Sequence, residues 1–187
     1  MHLKSLVASF FAFGAITAVV ASAEPSVLEK RQNQAAIELR LAVGGLKTAV
    51  ATILPEIEKV VAAVGSVEAS LVPLVKELVI VLDRTAATID VISKAGQASI
   101  VVVDEIARDV SAIYAEIIRS TSGALLRRPG FKDVYTKSGL ETALVRFLSS
   151  LSGVLPVVVK VISALLKLLS PVLNALGWTR LTATLGI

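Results

Sequence analysis

Few side chains in this chain are equipped for covalent or metal chemistry, and their positions limit them further. The one histidine is His2, the one methionine is Met1, and there is no cysteine. Thiolate and imidazole are the usual soft metal ligands, and imidazole is the commonest general base near neutral pH. Ser-His and Cys-His nucleophile arrangements are therefore excluded from everything beyond residue 2. What remains is carboxylate chemistry, for which Asp104/Glu105 and Glu56/Glu58 are the close pairs. Both pairs lie among basic residues in charged stretches, which reads as solvated helix surface. No phosphate-cradling glycine loop, nucleophile elbow or metal-ligand spacing is present. The expectation is a non-enzymatic protein without cofactor or metal.

The other chemistry open to these residues is adhesion. Between residues 154 and 176 the polar positions are Lys160, Ser163, Lys167, Ser170 and Asn174, spaced three, four, three, four. On a helix that spacing draws one thin wet stripe. Prolines 156 and 171 aside, the rest is Val, Leu, Ile and Ala. An ordinary surface helix buries an arc of roughly 100°, whereas this one is expected to hide most of its circumference. Three readings stand open: the central helix of a bundle, a helix that enters an apolar surface, and a membrane span. The span is opposed by two central lysines, at roughly 2.5–3.5 kcal/mol each on insertion scales. The candidate lipid or surface contacts are Val158, Ile162, Leu165, Leu166, Leu169, Leu173 and the one tryptophan, Trp178.

Charge supports adhesion to an anionic partner. From residue 32 to 139 acids and bases cancel, but beyond Leu140 the one acid, Glu141, faces Arg146, Lys160, Lys167 and Arg180. The most apolar third is thus also the most basic, which suits an anionic interface. Arg127, Arg128 and Lys132 flank a Pro-Gly turn and join Lys160, Lys167 and Arg180 as candidate anionic-surface contacts. A plain solvated loop is the competing reading of that turn. Nucleic acid is a poor fit, because the bases are sparse and stacking aromatics are few.

The elements that must position these residues are helices. Apolar residues alternate by four and three from Leu39 through Val43, Leu46, Val50, Ile53, Ile57, Val60, Val64, Val67, Leu71, Leu74 and Leu78 to Val81. That period predicts long packed helices. Gly44-Gly45, Pro55, Gly65-Ser66 and Pro73 are expected to kink or segment them, with Pro55 and Pro73 opening new helices. Ala95-Gly96-Gln97 reads as a turn. A further helix is predicted over 99–122, ended by Ser120-Thr121-Ser122-Gly123. Arg128, standing before Pro129, begins the clearest loop. Ser138 with Glu141 reads as a capping box for the next helix.

The amino-terminal end reads as a leader. Lys4, an apolar run to Val20 and Ala21-Ser22-Ala23 predict a signal peptide over 1–23, cut after Ala23. Lys30-Arg31 then predicts a short propeptide over 24–31, leaving one helical domain over 32–187 with its apolar helical part at 140–177. Leader, Lys-Arg junction, absent cysteines and a helical body together resemble small secreted fungal proteins. The nearest named group is the hydrophobic surface-binding protein and cell-wall mannoprotein family. That resemblance implies an extracellular or wall-associated helical bundle that takes up lipid or coats apolar solids, and it transfers no functional residue. The expected fold is all-α, a bundle of about five kinked amphipathic helices. The expected partner is lipid or an apolar surface. Self-association into a homo-oligomer or wall structure is the alternative, and membrane insertion the second alternative.

Overall fold

Apolar spacing sets where this chain coils, and a few prolines and glycines set where it stops. The computed structural model describes residues 25–63, 65, 67–95 and 102–187. The predicted leader with Ala23, the heptad position Val64, most of the turn at residues 95–97 and the start of the helix expected from residue 99 lie outside the described residues. The elements are α1 (Pro25–Ala62), α2 (Glu68–Ala95), α3 (Val103–Arg127), a 3-10 turn (Pro129–Phe131), α4 (Lys132–Ser138) and α5 (Leu140–Val154). They continue with α6 (Val158–Leu166), a second 3-10 turn (Lys167–Leu169), α7 (Ser170–Leu176) and α8 (Thr179–Leu185). With α6 and α7 counted as the one helical segment they form, seven helices pack into a bundle, and no strand occurs among the described residues.

Five of these helices close a ring: α1 packs on α2, α2 on α5, α5 on α6, α6 on α3, and α3 on α1. The shorter α4 packs on α2, and α8 packs on α5, α6 and α7. Ion pairs fix directions around the ring. Arg40 and Lys47 of α1 meet Glu105 and Asp109 of α3, both at 2.6 Å, so these two helices run parallel. Arg146 of α5 meets Asp83 of α2 at 3.2 Å. Farther along both helices, a Cβ placed on Gly153 would lie 3.1 Å from the Ser93 hydroxyl, so α2 and α5 are parallel too. These ion pairs are solvent-exposed and screened, so they set direction more than stability. The apolar interior contributes far more, because each buried Leu, Ile or Val is worth roughly 1.5–3 kcal/mol. Leu39, Val43, Leu46, Val50, Ile53 and Ile57 line it from α1. Across it the Tyr114 hydroxyl on α3 donates to the Leu144 carbonyl on α5 at 2.6 Å, and its ring lies 6.2 Å from that of Phe147.

The segmentation differs from expectation in an instructive way. Pro55 and Pro73 do not open helices; each sits inside one, on its exposed face. A proline cannot donate to the carbonyl four residues back. Those carbonyls belong to Ala51 and Ala69, both exposed, so water can serve them. Gly44-Gly45 costs about 1 kcal/mol per glycine relative to alanine, which the buried stripe of α1 outweighs. The break comes at Gly65, whose φ of 108° suits glycine. Beyond it the buried stripe keeps the predicted Leu71 and Leu78 but widens to Val75 and Leu82, leaving Leu74 and Val81 half-buried. The cause is that α2 packs against α1 on one side and α5 on the other. Ser120 and Thr121 do not end α3 either; both are buried within it. Before Pro129 and Pro156, by contrast, the sequence rule holds. Arg128 and Leu155 adopt nearly the same extended geometry, φ −143° and −132° with ψ 84°, and each ends a helix.

Candidate functional site

The segment Val158–Leu176 is long and apolar enough to cross a membrane by length and composition, but 22% of its apolar window is buried inside the bundle. It is therefore a wall of the ring and not its centre. Three stripes run along it. Val158, Ile162, Leu166, Leu173 and Leu176 are buried, with Leu169 half-buried in the same line. Their spacing of four, four, three, four and three presents one face to the core. Lys160, Ser163, Lys167, Ser170 and Asn174 form the expected wet stripe, exposed or half-buried. Between these two lies an apolar ridge that the spacing alone would place under cover. Val157, Ala164, Leu165 and Leu168 are exposed and Val161 is half-buried. Leu168 is 90% exposed, Leu165 48% and Val157 45%.

The bareness of Leu168 has a local cause. Pro171 has no N–H to offer the Lys167 carbonyl, so the Ser170 N–H bonds that carbonyl and tightens Lys167–Leu169 into a 3-10 turn. Within this turn no residue is buried. The helix resumes with Pro171 in its first turn and ends at Gly177. There the Trp178 N–H bonds the Leu173 carbonyl and the Gly177 N–H that of Asn174, each at 3.0 Å, with Gly177 left-handed at φ 76°.

Of the predicted surface contacts, then, Leu165 is exposed and Leu169 half-buried, while Val158, Ile162, Leu166, Leu173 and Trp178 are core residues. Val157 and Leu168 were missed as contacts. The signal for them was position: both neighbour the wet stripe instead of opposing it.

The predicted cations divide as well. Lys160 and Lys167 stand exposed along the ridge. Arg127 is exposed at the end of α3 and Lys132 at the start of α4, but Arg128 between them is committed. Its guanidinium donates to the Gly65 carbonyl at 2.8 Å and to that of Ala63, and stacks 5.7 Å from the Phe131 ring. It thereby satisfies carbonyls at the α1–α2 turn. Arg180 opens α8 and donates a side-chain bond to the Thr142 hydroxyl at 3.1 Å. Lys30 and Arg31 lie exposed in the first turns of α1, and the first buried residue among those described is Ala35.

The carboxylate pairs do not converge on a shared centre. Glu105 is taken by Arg40 and Glu56 by Lys59. Glu58 and Glu116 border an open groove of about 430 Å³ between α1 and α3, with Leu54, Pro55 and Arg119 beside them. Among the described residues no group of His, Cys, Asp and Glu could hold a metal ion. No family model matches this chain, and no curated protein matches it.

Proposed function

We propose that this is an exported, non-enzymatic helical bundle that binds lipid or an apolar surface through the outer ridge of Val158–Leu176. The observation that carries the reading is the bare line Val157, Leu165 and Leu168, which leads on to two exposed lysines. Monomeric soluble proteins scatter exposed apolar side chains singly, and a contiguous line of them marks a contact surface. The buried stripe Val158, Ile162, Leu166 and Leu173 moors the segment, so docking needs no opening of the ring. Export and kinship with fungal hydrophobic surface-binding proteins remain part of this proposal, on the residues quoted above.

Flotation with lipid vesicles and depletion by apolar beads test it. Replacing Leu165 and Leu168 with Ser should weaken binding by roughly tenfold or more per residue, since each withdraws a leucine from apolar contact. The same change should leave stability within about 0.5 kcal/mol, because these side chains already face water. Ile162→Ala should do the reverse, costing about 2–5 kcal/mol of stability as a core truncation. Trp178 is buried beyond the ridge, so its emission should stay constant if the bundle docks closed. Vesicle binding that survives the double serine variant would sink the proposal.

A further inference from the structure

Resting on that reading, we infer that the surface is an anionic lipid bilayer, and that α6 and α7 lie flat on it with Leu168 innermost and Lys160 and Lys167 against the headgroups. Three observations converge. First, position: residues three or four apart share a helix face, so Lys160, Ala164 and Lys167 form one line. Val157, Val161, Leu165 and Leu168 form the line beside it. The apolar line and the basic line are neighbours on the outward side, as an in-plane amphipathic helix requires. Second, charge: residues 142–187 contain no acidic side chain, while Arg146, Lys160, Lys167 and Arg180 all lie there. Arg146 is spent on Asp83, and Arg180 is turned toward Thr142. Among the described residues Lys160 and Lys167 are in no ion pair, unlike Arg40 and Lys47 on the far seam. Third, mooring: the face opposite the lysines is buried in the ring, which prevents the segment from turning over or crossing. Long lysine stems can then run along the apolar ridge and lift their ammonium groups to the headgroup level.

A basic side chain held at an anionic membrane contributes enough that removing two should lower partitioning about 30-fold. The experiment compares the purified protein with Lys160→Gln/Lys167→Gln on two vesicle types: neutral phosphatidylcholine, and phosphatidylcholine containing phosphatidylglycerol. Far-UV circular dichroism checks that these surface changes leave the fold intact. The wild type should prefer the anionic vesicles by at least about tenfold, and the preference should fade with added salt. The double glutamine variant should lose the preference but keep any weak neutral binding. Equal wild-type binding to both vesicle types would overturn the inference and leave the apolar-surface reading standing, as would a preference unchanged in the variant. Binding to neither vesicle nor bead would overturn both. A dimer in vesicle-free buffer that Leu168→Ser dissolves would place a second copy on the ridge and overturn the bilayer assignment.

Discussion

At the scale of single residues, the two tyrosines separate a satisfied hydroxyl from an orphaned one. Tyr114 donates to the Leu144 carbonyl from full burial. Tyr135 is also buried, but its hydroxyl has no hydrogen-bond partner. Tyr114→Phe should therefore cost about 0.5–1.5 kcal/mol, and Tyr135→Phe should be neutral or stabilising, as read by urea unfolding. Burial raises the Tyr114 phenol well above its ordinary value and pushes the Tyr135 phenol up to about 12. The unfolded chain then ionises first, near pH 10, and releases protons that the fold retains. The stability linked to these groups is complete below about pH 10 and declines as pH rises toward 12. Unfolding midpoints at pH 8, 10 and 11.5 should fall in that order, and less steeply in Tyr135→Phe. These roles were not legible in the sequence, because a phenol's partner lies on another helix.

At the scale of elements, Glu141 shows how local rules are outbid. Ser138 and Glu141 have the spacing of a capping box, yet the residue before α5 is Gly139, left-handed at φ 77°, and no side chain caps there. The Ser138 hydroxyl instead donates to the Tyr135 carbonyl at 2.7 Å. Glu141 reaches across to α8 and accepts the backbone N–H groups of Arg180 at 2.7 Å and Leu181 at 3.1 Å. Those are early donors of a helix start, where a carboxylate is favoured. Glu141→Ala should cost about 0.5–2 kcal/mol. It should also loosen α8 enough to red-shift the emission of Trp178, which packs just before it. The helical period was legible from residue 39 onward because it depends on neighbours three and four apart. The fate of Pro55 and Pro73 was not, since it depends on which side of the helix meets water. Leu54-Pro55 and Leu155-Pro156 look alike in sequence, but the first pair lies within α1 and the second marks the break between α5 and α6.

At the scale of the whole molecule, the all-helical bundle was readable in the sequence and the role of its most apolar segment only in part. Hydropathy alone left residues 154–176 open between a bundle centre, a surface-entering helix and a membrane span, whereas the structure makes them a wall with one moored side. The difference arises because α1, α2, α3 and α5 already supply a dense interior through Leu39, Leu78, Ile113 and Phe147. The ring they form is shut by α6, which meets both α3 and α5. A nascent chain made from its amino end therefore completes four staves before the fifth exists. Until α6 emerges, the open side of the ring between α3 and α5 has no lid, and a polypeptide stopped at Val154 should be swollen and bind hydrophobic dyes strongly. Closure of the ring thus waits on residues beyond Val154, and a chain cut before them should aggregate instead of yielding a shorter folded product.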